Sequence, residues 1–150
     1  MKTEPHVFSI DDLVASPDQT THWVGVRNYQ ARNLLRDDVQ LGDDVLFYHS
    51  SCKQPAVVAT AKIVRAAHAD ETAVDPASDY FDPKSSPENT RWYQVDIKLV
   101  KRFTTPVTIT EMRSHEALAE LPLLRKGNRL SVQQTTPEQF AYVVKLGSPK

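Results

Sequence analysis

The run Val45-Leu46-Phe47-Tyr48-His49 does most to limit what this chain can become, because five strand-forming residues without a charged interruption need cover on both faces. It reads as a buried central strand, entered through the turn Leu41-Gly42-Asp43-Asp44. Pro55 to Ala67, carrying Val57, Val58, Ile63 and Val64, reads as a second strand, and the short loop between the two makes them antiparallel neighbours. From Trp92 to Phe103 apolar residues alternate with Gln94, Asp96, Lys98, Lys101 and Arg102, which predicts a third strand with one buried and one basic face. His6 to Phe8 and Asn128 to Val132 read as shorter strands.

Helices are few and short. Ser9, with Asp12 three residues on, caps a helix over Ile10 to Ala15, and Ser16-Pro17-Asp18 closes it. Asn28 caps Tyr29 to Arg36, which gathers Ala31, Leu34 and Leu35 on one side and Arg32 and Arg36 on the other. Two helical pieces fall between Thr110 and Leu121. Thr136-Pro137-Glu138-Gln139 is a capping box with proline at the first helical position, opening a helix that Gly147 ends. Residues 68 to 90 are polar and proline-containing without periodicity, a longer excursion than a plain connection needs.

These elements imply an α+β domain built on a curved sheet or small open barrel. The four glycines leave no phosphate-cradling loop, and strands and long helices do not alternate, which disfavours a doubly wound nucleotide fold. At 150 residues the chain reads as a single domain, 1–150. No apolar run approaches the ~18 residues that span a bilayer, so no membrane partner is expected. One cysteine, Cys52, excludes an internal disulfide, and the opening residues lack a secretory signal; an intracellular setting is expected, cytoplasmic if the chain is bacterial, with a place at the nucleoid open to it.

The net charge of −1 hides an asymmetry: residues 1–83 hold 7 Lys/Arg against 13 Asp/Glu, and residues 84–150 hold 11 against 6. A globally basic coat is absent, yet a local basic groove is possible. The histidines His6, His22, His49, His68 and His115 are dispersed without metal-ligand spacing, so no metal and no cofactor are expected. No nucleophile elbow or cysteine signature is present. What the chain offers is aromatic and hydrogen-bonding residues at element edges: Trp23 beside Gly25-Val26-Arg27-Asn28, the Tyr48-His49-Ser50 strand end, and Arg91-Trp92 with Asp96. Such groups could wall and read a flat heteroaromatic ligand. By spacing alone, Trp23 and Trp92 also suit a core, and His49 a structural role.

The string Trp23-Val24-Gly25-Val26-Arg27-Asn28-Tyr29-Gln30-Ala31-Arg32-Asn33 resembles the signature of EVE domains. Further matches are Lys2-Thr3-Glu4-Pro5, Phe47-Tyr48-His49-Ser50, Asp79-Tyr80-Phe81-Asp82-Pro83-Lys84, Arg91-Trp92 through Val95-Asp96, and Arg129-Leu130-Ser131-Val132, in family order. Thr3 replaces a commoner serine, and Ala59 stands where glycine is frequent. The resemblance implies a PUA-like fold, a small bent mixed β-barrel with peripheral short helices, related to YTH domains. It implies a non-catalytic reader of a modified nucleobase, with modified cytosine in DNA favoured and RNA the alternative. Carried onto this chain, Trp23 and Trp92 supply aromatic walls, while Lys2, Glu4, Asn28, Tyr48, His49 and Ser50 read the base edge or support the pocket. Phosphates would meet Arg27, Arg32, Lys98, Lys101, Arg102, Arg125 and Lys126. A rival reading is an enzyme on a modified nucleotide, with His49 as base and Asp96 or Glu4 as its partner. A third is a protein-interaction module with a peptide-accepting cleft.

Overall fold

The computed structural model describes residues 1–127 and 130–148. Its frame is one mixed five-stranded sheet: β1 (Lys2–Thr3), β2 (Thr20–Trp23), β3 (Asp44–His49), β4 (Ala56–Ala69) and β5 (Tyr93–Thr108), in the order β1-β3-β4-β5-β2. The β1–β3 pair is parallel and the others antiparallel. β4 and β5 span 14 and 16 residues, and their register shifts four times, between Val57/Ala59, Thr60/Ala61, Ile63/Arg65 and Arg65/His68. Each irregularity adds bend and twist.

The curvature is measurable at one ring pair. Three strand steps separate β3 from β2, about 14 Å on a flat sheet. Yet the Trp23 ring on β2 lies 5.8 Å from the Phe47 ring on β3, edge-on at 83°. The sheet therefore curls until its inner face meets itself, while β1 and β2 stay as separate edges and the barrel remains open.

Alternation along β3 divides the apolar residues between two cores. Val45 and Phe47 point into the curve with Trp23, Val26, Leu35, Ala61, Ile63, Val95 and Ile97. Leu46 and Tyr48 point outward, where Phe103 and Val107 are covered by residues of α3 (Ile109–Arg113), α4 (Pro137–Gly147) and the turn residues Leu118 and Leu121. The remaining helices are α1 (Ile10–Ala15), with the expected Ser9–Asp12 capping box, and α2 (Tyr29–Asn33), capped by Asn28 and followed by a wider turn over Leu34–Asp38. No described helix is long and apolar enough to cross a membrane.

Two local expectations are corrected. The first strand is Lys2–Thr3 rather than His6 to Phe8, because the amides of Val7 and Phe8 fold back onto the Glu4 carbonyl. Of the strand expected at Asn128 to Val132, residues 128 and 129 lie outside the described residues, and Leu130 to Val132 are irregular, although the Ser131 carbonyl accepts the Lys2 amide at 2.8 Å. α4 ends at Gly147 as expected, and the lack of a side chain there serves packing: a Cβ would overlap the Phe103 ring.

Phe47 has no exposed surface and touches Trp23, Phe8 and His49. Phe47→Ala should cost about 3–5 kcal/mol in urea unfolding; a loss below about 1 kcal/mol would contradict a core organised by the curl of the sheet.

Candidate functional site

The turn between β2 and α2 is tied to the long 70–90 segment by a buried ion pair. Gly25 adopts φ +79°, where a side chain is strained and a Cβ would press on the Tyr80 ring. Its N–H donates to Asp70 Oδ2 at 2.9 Å, and Arg27 Nη1 donates to the same oxygen at 3.0 Å. The Thr72 amide and hydroxyl donate to Oδ1 at 2.9 and 2.5 Å. The Asp70 side chain has no exposed surface. Burial alone would raise its pKa, but the bonds from Thr72, Gly25 and Arg27 outweigh it and hold the carboxyl below its ordinary value.

Arg27 spends all five N–H donors inside the protein. Nε and Nη2 donate to the Tyr80 carbonyl, Nη2 also to Thr72 Oγ1, and Nη1 to the Val26 carbonyl and Asp70. The guanidinium also lies 5.3 Å from the Trp92 ring centre and 5.8 Å from that of Tyr80. The N–H fork of Arg27, expected to meet phosphate, is thus filled by partners within the protein.

Trp92 is 5 % exposed. Its indole N–H donates to Asp82 Oδ2 at 2.7 Å, which holds that carboxyl below its usual range. Tyr29 stacks on the indole at 4.8 Å and 23°, and the Arg32 guanidinium lies 4.8 Å from the Tyr29 ring centre. Arg32 donates to the Arg91 carbonyl at 2.8 Å, and Arg91 reaches the Tyr29 hydroxyl at 3.5 Å. Trp23 is 8 % exposed in the inner core, and no ring contact joins it to Trp92. The two indoles thus do not wall one slot. Trp23 is covered by the curl of the sheet, and Trp92 carries Tyr29 stacked on it and Arg27 beside it.

The polar candidates occupy further places. His49 Nε2 accepts the Ile10 amide at 3.0 Å, and burial lowers the pKa, so the ring is neutral near pH 7 with its proton on Nδ1. That engagement removes the nitrogen a general base would use. The Ser50 amide and hydroxyl both address the Thr3 carbonyl, at 2.8 and 3.4 Å. Tyr48 faces the outer core, and burial raises its pKa; Lys2, its register partner on β1, is lowered by burial. Lys2 and Tyr48 line a small cavity with Ser131. Glu4 is exposed, 3.8 Å from His6. Asn28 Oδ1 accepts the Ala31 amide.

Among the basic residues, Lys98 pairs with Asp18 at 3.3 Å and Arg102 with Asp11 at 2.8 Å, exposed contacts weak enough to exchange for a phosphate. Lys101, Arg125 and Lys126 are exposed. A cleft of about 840 Å³ opens beside Arg125, floored by Leu34, Val45 and Ile63, but Asp38, Asp43, Asp44 and Glu120 line it and repel a polyanion. Tyr29, Asp70 and Asp82 were not legible as site residues. The Asp79-to-Lys84 match was the one sequence signal for Asp82, and nothing local marked Asp70 as the anchor of Arg27.

Residues 1–146 match the EVE domain family. The chain is 40 % identical over 150 residues to thymocyte nuclear protein 1 of Gallus gallus, covering 95 % of this chain and 62 % of that protein's length. A protein from Pseudomonas syringae has a crystal structure with a TM-score of 0.91 and 44 % identity, covering 97 % of this chain and 96 % of that one. The human THYN1 protein, solved in complex with 5-methylcytosine-containing DNA, aligns with a TM-score of 0.90 and 38 % identity, covering 98 % of this chain and 95 % of that one.

Asp70→Asn leaves Arg27 without its counter-charge and should cost about 3–5 kcal/mol at neutral pH. Because the folded pKa of Asp70 is depressed, its stabilisation is present above the unfolded value and is lost as pH falls through the folded one. Urea midpoints should therefore converge between wild type and Asp70→Asn in strong acid; a constant gap would contradict the assignment.

Proposed function

The chain belongs to the EVE domain family, and we propose that it binds nucleic acid carrying a modified cytosine, with 5-methylcytosine in DNA the leading candidate, and leaves the base chemically unchanged. The observation that carries this reading is the likeness, at 38 % identity over 98 % of the chain, to the human protein solved with 5-methylcytosine-containing DNA. The engagement of His49 Nε2 by the Ile10 amide supports binding rather than turnover.

Trp23, Tyr48 and Trp92 act in this reading as the frame. Contact falls to side chains with free surface: Tyr29, 51 % exposed on top of Trp92, its neighbour Asn28, and Glu4, His49 and Ser50 around the ends of β1 and β3, supported by Lys2. Stacking on a phenol tolerates any base, so discrimination comes from the polar edge readers. Arg32, Lys98, Lys101, Arg102, Arg125 and Lys126 hold phosphates, and each neutralised phosphate steepens the salt dependence.

Fluorescence anisotropy on matched oligonucleotides with methylated and plain cytosine tests this. The methylated strand should bind about tenfold tighter, a difference of about 1.4 kcal/mol. Tyr29→Ala should weaken binding while retaining the fold, and Arg32→Gln should also lower the slope of affinity against salt. Equal, weak affinity for both strands, unchanged by Tyr29→Ala, would refute the reading.

A further inference from the structure

Strand pairing assembles a second polar cluster from residues far apart in the chain. His22 on β2 stands opposite Asp96 on β5, and His68 on β4 stands opposite Gln94, two residues along β5. His22 Nδ1 lies 2.7 Å and His68 Nε2 3.5 Å from the same oxygen, Asp96 Oδ1. One ligand atom from each residue lies within 4.8 Å of the other two. The dispersal of histidines in the sequence gave no sign of this grouping.

The hydrogen bonds already prepare His68. Its Nδ1 lies 2.8 Å from the Ala66 carbonyl, which can only accept, so the proton sits on Nδ1 and the lone pair on Nε2. That Nε2 faces the Asp96 carboxylate, and a backbone carbonyl holding the far nitrogen of the ring is the usual support of a metal-ligating histidine. Asp96 is largely buried, whereas the His22 side chain is 63 % exposed on an edge strand and can shift.

We propose that His22 Nδ1, His68 Nε2 and Asp96 Oδ1 bind a divalent transition metal of the Zn²⁺ class. Ligands held about 2.0–2.2 Å from such an ion sit roughly 3.3–3.6 Å apart, so His68 and Asp96 already have the required separation, and His22 Nδ1 must retreat from Asp96 Oδ1 by less than about 1 Å while staying within reach of His68. With the ion on Nδ1, the neutral His22 ring carries its proton on Nε2, while His68 keeps its proton on Nδ1, donated to the Ala66 carbonyl. The Gln94 amide, 2.6 Å from His68 Nε2, gives up that lone pair to the metal. Two imidazoles exclude Ca²⁺ and Mg²⁺, which take oxygen ligands. The exposed side of His22 leaves a fourth position for water. The ion would staple edge strand β2, and with it Trp23, to β4 and β5, independently of any nucleic acid.

The test uses the full chain, free of affinity tag and treated with chelator. Zn²⁺ is titrated by calorimetry and Co²⁺ by its visible d–d absorption near neutral pH, with melting temperature followed alongside. The expected result is one ion per chain in the micromolar range, Co²⁺ bands characteristic of few ligands, and a Zn²⁺-dependent rise in melting temperature. His22→Ala and Asp96→Asn should each weaken binding about tenfold or more, and His6→Ala should change nothing. His22 is exposed, so its variant folds and the comparison stands even if Asp96→Asn does not. Absence of saturable binding, or a site that survives His22→Ala, would overturn the proposal.

Discussion

A carboxylate with no exposed surface must be surrounded by donors or lose its charge, and Asp70 meets that demand by drawing the turn after β2 onto the start of its own segment. The Gly25 amide and Arg27 come from the turn after β2, and Thr72 from the start of the irregular segment. Arg27, held there, reaches on to Tyr80 and lies beside Trp92. Apart from this pair, the 70–90 segment is held by the Trp92 indole bond to Asp82, by the Asp70 amide on the Trp92 carbonyl and by the Asp82 amide on the Ala73 carbonyl. Tyr29 and Arg32 take their places on Trp92, so the exposed aromatic surface is second in a chain of dependence that starts at one buried charge.

The curl of the sheet supplies the other constraint. Bulges along β4 and β5 let Trp23 meet Phe47 across what a flat sheet would keep apart. This explains why an indole that looks like a binding wall in the sequence serves as core: the side chains lining a small, strongly curved sheet have nowhere to go but against each other. In the proposed reading contact falls to the rim, where strand ends and the β2–α2 turn present half-exposed polar groups on a stiff support.

Much of this was legible in the sequence wherever local physics decides. The apolar run at Val45 to His49, the alternation after Trp92, the Ser9 and Thr136 capping boxes and the Asn28 cap each form because side-chain period or a single hydrogen bond dictates them. Long-range partnerships were not legible. Arg27 reads as a solvent-facing cation until Asp70 is known to lie beneath it, and His22, His68 and Asp96 read as scattered until three strands set them side by side. The β1 strand escaped notice for a related reason: two residues carry no periodicity, and Lys2–Thr3 is extended only because β3 offers it a ladder.

The central claim is that a rim of exposed side chains over a buried frame recognises a modified cytosine. Amide NMR of the isotope-labelled chain, titrated with a methylated and then an unmethylated oligonucleotide of the same sequence, tests it most directly. The account predicts shifts at the Asn28–Arg32 turn, at the Glu4 and His49–Ser50 strand ends and at the phosphate-holding cations such as Lys98 and Arg102, larger with the methylated strand, while Phe47 and Val95 stay fixed. Identical perturbations from both strands, or perturbations gathered at the acidic residues Asp38, Asp43, Asp44 and Glu120 instead, would contradict it.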